Sequence, residues 1–330
     1  MNDSLPWRFR AARQLAEWLP PLLAPTVTTQ LFGFERACAA PARPWVTAIT
    51  GSRARWPLDE LHGWLHALNR YHDWRLLTVA QTVCNPDDTI VEVGANIGTE
   101  TLCFADIVGS GGRVVALEPF PANVATLTRV LVDSGADQVS VLPLAAGEQP
   151  GTLPFVAPDD AHYSGIGHLG HADGGARTID VEVTTLDRLA DDGLRPALVA
   201  MDVEGGELAV LRGARQMIAR ARPVIVLEAC ARHAVRAGNG LDQVLAELDD
   251  LSYSVRAIRR FGLRPPSTAA DAVPCNWVAV PVERRTQLAR ISTQIALTGL
   301  LPPWRWLSPL ARRAKPGVRL PQSSFSRGFS

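Results

Sequence analysis

Apolar positions divide the chain into two textures. Up to about residue 85 they recur near helical spacing, over 11–23 and again over 58–83, where Leu61, Leu65, Leu68 and Leu76 mark the period. This predicts a helical N-terminal cap without strands, joined by the turn-rich connectors 39–44 and 50–57. From Asn85 onward, short β-branched runs alternate with helical patterns, the mark of βαβ units and a parallel sheet. Strands are predicted at 89–93, 113–117, 139–142, 198–201 and 224–227, with helices at 98–108, 121–134, 207–220 and 241–251. Two later apolar runs, 253–258 and 277–282, lack a following crossover helix and are expected to form an antiparallel pair at the sheet edge. Residues 152–183 are Gly-rich and carry histidines, which suggests an insertion or lid over the strand ends.

The fold expected is therefore α/β, a doubly wound sheet that is mostly parallel with an antiparallel edge, plus the helical cap. Residues 1–85 form the cap and 86–283 the α/β domain. Residues 284–330 form a helical extension whose tail from Arg312, rich in Pro, Ser and Arg, is expected to be disordered.

Composition narrows the function. With 33 basic and 33 acidic side chains there is no global field to attract a polyanion, so nucleic acid is not expected as a partner. Cys38, Cys84, Cys103, Cys230 and Cys275 are odd in number, scattered and never in a C-x-x-C pair, which suits a reducing cytoplasm better than a disulfide framework or zinc knuckle. The first residues lack a signal-peptide core, and the longest uncharged run, 291–304, falls short of the roughly 20 apolar residues of a membrane span. No transmembrane segment is expected. Trp7, Trp18, Trp304 and Trp306, interleaved with arginines, are expected to bury their rings against a domain or a partner subunit, a homodimer being one such arrangement; contact with a membrane surface is the alternative.

In an open parallel sheet, ligands bind beyond the carboxyl ends of the strands, where strand order reverses. After the first predicted strand comes Gly94-Ala-Asn-Ile-Gly98, where glycines let the backbone turn sharply and approach a ligand. After the second comes Glu118, placed to accept hydrogen bonds from ribose hydroxyls. A nicotinamide dinucleotide would require a second glycine at the position of Asn96. An adenosine cofactor without that pyrophosphate fits better, and S-adenosylmethionine is the common one.

The series 92–101 (EVGANIGTET), 116–123 (ALEPFPAN), 185–189 (TLDRL), 201–208 (MDVEGGEL) and 211–214 (LRGA) resembles the FkbM-type methyltransferases, in order and spacing, from about Thr89 to Glu228. The resemblance implies the class I methyltransferase (Rossmann-like) fold and methyl transfer to hydroxyls of sugars, polyketides or other secondary metabolites. It departs from the family pattern at Glu92, where Asp is usual, at Ala200, where Lys is frequent, and at Val130, where Asn is frequent. The cofactor-binding set expected is Glu92, Gly94, Ala95, Asn96, Gly98, Thr101, Glu118, Pro119 and Ala145.

Asp202, Glu204 and Glu228 follow the fourth and fifth strands. Three carboxylates in one crevice repel one another unless a proton or a cation is shared, and an oxygen-only set favours Mg²⁺. They are thus candidate metal ligands, with Asp202, Glu204 and His233 as candidate catalytic groups for deprotonating a hydroxyl acceptor. Glu204 and Glu207 can alternatively stabilise the following helix through its dipole. His162, His168, His171 and Asp173 are expected to be solvated, and His62 and His66, one turn apart, to be surface or interface residues rather than a zinc pair. A noncatalytic S-adenosylmethionine-binding subunit is the alternative function, and the costly clustering of Asp202, Glu204 and Glu228 favours the enzyme.

Overall fold

The main sheet runs in the order Val139–Leu142, Arg113–Leu117, Thr89–Val93, Leu198–Met201, Val224–Ala229, Cys275–Pro281, Tyr253–Arg259, Gly262–Arg264. The first five are mutually parallel; Cys275–Pro281 lies antiparallel between Val224–Ala229 and Tyr253–Arg259. This is a computed structural model describing residues 5–39, 41–170, 177–190, 193–269, 274–303 and 310.

The central strands read as unbroken apolar runs because both of their faces are covered. Alternate residues go to opposite layers. Ile90, Val114, Ala116, Leu198, Ala200, Val224 and Val226 face one core, shared with Phe9, Phe32, Leu68, Leu77 and Phe104. Val91, Val93, Val115, Leu117, Val199, Met201, Ile225 and Leu227 face the other, under Leu208, Ile218 and Leu248. The 1–85 segment therefore lies against the same sheet layer as the helices Thr99–Val108 and Pro121–Ser134. Pro121 opens the latter helix with its φ already set for a first turn, and Gly135 closes it at φ 64.

Two expectations are corrected, for the N-terminal segment and for the helix at 207–220. The N-terminal segment is not strand-free: among its helices Trp7–Ala16, Ala24–Leu31, Phe34–Ala39, Leu61–Asn69 and Trp74–Val83 sits the antiparallel pair Trp45–Thr47 and Arg53–Arg55. Arg55 anchors that pair to helix Pro121–Ser134 through a bidentate contact with Asp133 at 2.7 and 2.9 Å. The insertion expected at 152–183 carries strands of its own: Gly151–Val156 pairs with Thr178–Thr184 in a second, four-stranded sheet completed by Ala145–Ala146 and His168–Leu169, with Phe155, Val181 and Val183 in its core. The helix expected at 207–220 is two, Glu207–Arg212 and Arg215–Ala221, with the break at Gly213, whose close approach to the Gly147 backbone leaves no room for a Cβ.

The C-terminal extension contains the helix Gln287–Leu300, which packs along Trp74–Val83; its tail lies outside the described residues. Trp7 and Trp18 remain 65% exposed, and Trp304 and Trp306 lie outside the described residues. No helix among the described residues is long and apolar enough to cross a membrane.

Candidate active site

Strand order reverses between Thr89–Val93, whose other neighbour is Arg113–Leu117, and Leu198–Met201, whose other neighbour is Val224–Ala229. The crevice required by that reversal opens at their carboxyl ends. Gly94 turns there at φ 83, and a Cβ on it would collide with the Asp202 carbonyl, so only glycine lets the two strand ends lie this close. Asp202 N–H in turn donates to the Val93 carbonyl at 3.0 Å. Two cavities meet at this neck. One, of about 330 Å³, is walled by Glu118, Pro119, Asn123, Ala145, Phe155 and Ser164. The other, of about 450 Å³, extends toward Arg75, Ile258, Arg259 and Cys275. His62, His72, Gly94, Asn96, Asp202 and Glu228 belong to both.

Glu118 accepts N–H groups from Asn96 at 2.8 Å and Phe120 at 2.9 Å, and the Asn123 amide at 3.4 Å. Burial nonetheless raises its carboxyl to about 7. A carboxylate offers about four acceptor positions, so room remains for hydroxyl donors. Glu92, one strand over, is buried and raised well above the usual range, with Thr101 Oγ1 donating to it at 2.6 Å.

On the far side of the neck, His233 Nδ1 lies 2.9 Å from Glu204 Oε2 and 3.1 Å from Glu228 Oε2. One ligand atom from each of Glu204, Glu228 and His233 falls within 4.8 Å of the others. Burial, with repulsion from Asp202 and Glu228, raises Glu204 to about 8; burial and Glu228 raise Asp202 to about 7; burial also raises Glu228. His233 is lowered by burial and by Arg236, which also donates to the Glu204 carbonyl at 2.7 Å. Carboxyl groups poised near neutrality can accept a proton at neutral pH, as general bases must. Glu207 serves its own helix start: its carboxylate accepts from the N–H groups of Val203 and Gly205, both at 3.3 Å.

The N-terminal segment delivers two histidines to the neck. His62 Nδ1 lies 2.9 Å from Glu60 Oε1, while the second Glu60 oxygen accepts the Gly63 N–H at 2.7 Å and so caps helix Leu61–Asn69. His72 Nδ1 lies 3.2 Å from Glu100 Oε1, and the two imidazoles are 4.6 Å apart. Burial alone would lower His72, but Glu100 outweighs it and raises the ring to about 9. Ser164 bridges segment and cofactor loop, its Oγ 2.8 Å from Glu60 Oε1 and 2.7 Å from Asn96 Oδ1.

Residues 92–255 match the family model described as the methyltransferase FkbM domain. This chain carries an FkbM-type methyltransferase domain. It is 26% identical over 187 residues to the hexuronic acid methyltransferase AglP of Haloferax volcanii, covering 56% of this chain and 73% of that protein. A crystal structure of methyltransferase FkbM from Methylobacillus flagellatus matches with 20% identity and a TM-score of 0.39, over 82% of this chain and 58% of that one. The O-methyltransferase from Bacillus cereus in complex with SAH matches with 15% identity and a TM-score of 0.37, over 63% and 79%. The class I fold of the FkbM domain rests on its own strand order.

Within the FkbM domain, Glu92, Gly94, Ala95, Asn96, Glu118, Pro119 and Ala145 line the two cavities. Gly98 and Thr101 stand behind them. Gly98 turns at φ 94 against Leu127, and Thr101 supports Glu92. Of the expected metal ligands, Glu204 and Glu228 come together with His233, a nitrogen donor, while Asp202 stands outside that set at the neck. His66 is fully buried, its ring tilted 31° against Trp56 with centroids 4.2 Å apart, and burial lowers it to about 3, whereas His62 reaches the cavity rather than the surface. His168 lines the smaller cavity, and His171 and Asp173 lie outside the described residues. Glu60, His72 and Ser164 carry no motif, their only mark in the sequence being a polar residue at or beside a helix start or turn, while Glu100 lies within the series 92–101 but is not among the residues expected at the site.

Proposed function

We propose that this protein is an S-adenosylmethionine-dependent O-methyltransferase acting on a hydroxyl of a sugar or secondary metabolite. The observation that carries this reading is the placement of Asp202 where the two cavities meet, with its carboxyl near neutrality. The smaller cavity suits the nucleoside: Glu118 for the ribose hydroxyls, Pro119, Ala145 and Phe155 as apolar walls. The larger takes the acceptor. A bound cofactor supplies an electrophilic methyl group on a sulfonium. The chain must hold the acceptor oxygen in line with it and remove its proton, because a free alcohol is far too weak an acid at neutral pH.

Asp202 is the favoured proton acceptor, with Glu204 and His233 behind it to share the charge. Glu204, Glu228 and His233 are the residues that would hold a divalent cation. With a nitrogen among them the set suits Mn²⁺ or another transition metal better than Mg²⁺. The relative named for hexuronic acid supports a sugar acceptor. The 1–85 segment acts as the acceptor cap through His62 and His72, and five free cysteines fit a cytoplasmic enzyme. A thermal-shift panel tests the cofactor: SAH stabilises the protein and NAD and NADP do not, and the reverse result sinks the reading.

A further inference from the structure

The larger cavity runs past the neck to a cationic wall that methyl transfer itself leaves without a task. Arg259 ends strand Tyr253–Arg259, and Arg260 begins the turn after it. Cys275 pairs with Ala229 and Trp277 with Ala257, so Arg259 emerges at the same sheet edge as Asp202. Val224–Ala229 and Cys275–Pro281 lie between their strands, which puts the two residues three strand spacings, about 14 Å, apart. Arg259 is half-buried and Arg260 exposed, and neither has an acidic partner among the described residues. Arg75, on the cavity wall carried by helix Trp74–Val83, is held by Asp73 at 3.2 Å, whose other oxygen accepts the Asn276 amide at 2.9 Å.

Charge is distributed unevenly along this cavity. At the neck stand the carboxyl groups of Asp202 and Glu228. Far from the neck, Arg259 and Arg260 meet no acidic side chain among the described residues. Resting on the methyltransferase reading above, we infer that the acceptor carries an anionic group, a carboxylate or a phosphate, at the end remote from the methylated hydroxyl, and that Arg259 and Arg260 bind it with Arg75 beside them. Guanidinium forks match both anions, and such charge-assisted contacts give geometric selectivity as well as affinity.

Calorimetry on the full chain saturated with SAH tests this with three size-matched probes: cellobiose, cellobiouronic acid and cellobiose 1-phosphate. At least one anionic probe binds about tenfold or more tighter than cellobiose, and the carboxylate and phosphate arms identify which anion is preferred. The preference disappears in Arg259→Gln/Arg260→Gln and persists in Arg256→Gln, a control on the same strand. Equal binding of all three probes, no binding of either anion, or a preference that survives the double variant overturns the inference. A double variant that loses SAH affinity instead assigns these arginines to the cofactor carboxylate and also overturns it. Failure of the wild-type chain to bind SAH counts against the methyltransferase reading itself.

Discussion

The Glu118 carboxylate accepts the Asn96 backbone N–H at 2.8 Å, joining the end of one strand to the loop that follows its neighbour. That contact holds the loop at its left-handed turn, Asn96 having φ 49, and leaves Glu118 with acceptor capacity toward the smaller cavity. Glu118→Gln keeps the volume and one acceptor oxygen but loses the charge. SAH binding should weaken by about 1.5 to 3 kcal/mol, measured by calorimetry on a variant shown to be folded. Unchanged affinity removes Glu118 from the cofactor site.

Gly94→Ala tests the neck. Alanine must take φ 83 and also place its Cβ against the Asp202 carbonyl, so the two strand ends must separate. Loss of about 2 kcal/mol or more of stability, together with loss of SAH binding, is expected. A variant with wild-type melting temperature and wild-type affinity shows that the crevice does not depend on this approach.

Asp202→Asn preserves size and removes the charge. Its SAH affinity should stay near wild type while kcat falls about 100-fold or more. Chelation separates the two routes to the acceptor oxygen. Activity abolished by EDTA and restored by Mn²⁺ establishes a cation on Glu204, Glu228 and His233, and activity untouched by exhaustive chelation leaves proton transfer to Asp202. Near wild-type turnover by Asp202→Asn discards Asp202 as the proton acceptor.

The His72–Glu100 pair sets a pH window for stability. Glu100 is brought down to about 2 from 4.5, chiefly by His72 against the opposing effect of burial, so its contribution is present above 4.5 and lost as pH falls through 2. His72 is raised from 6.5 to about 9, so its contribution is full below 6.5 and lost as pH rises through 9. The melting-temperature difference between wild type and Glu100→Gln should therefore be flat from pH 4.5 to 6.5 and shrink from 6.5 to 9. A difference that grows with pH in that upper range contradicts the pairing.

The five parallel strands were legible because burial on both faces demands runs such as 198–201 (LVAM), which no amphipathic helix or loop requires. The cofactor loop was legible for a related reason: glycine spacing records backbone approach directly. What escaped did so for physical causes. Strands of three residues, as at Trp45–Thr47, are shorter than any period can reveal, and Gly151–Val156 contains Pro154, which breaks the strand pattern. His62 and His66 are indistinguishable by spacing, yet one lines a cavity and the other meets Trp56, because the answer depends on what the helix packs against. Arg259 and Arg260 follow a run legible only as an edge strand. Their meaning depends on a cavity that the sheet creates only by bringing residues 202 and 259 to one edge.

The strand Cys275–Pro281 enters a gap one strand wide between two strands that precede it in the chain. The facing edges of Val224–Ala229 and Tyr253–Arg259 are therefore paired only once that later segment is in place. Pairings of this kind are slow to form and leave strand edges open to other chains. The glycine-loop half of the sheet, from Thr89 to Leu142, can be assembled well before. The wall that carries Arg259 is thus completed from later in the chain than the glycine loop, and conditions that stress folding should cost the acceptor side before they cost the cofactor side.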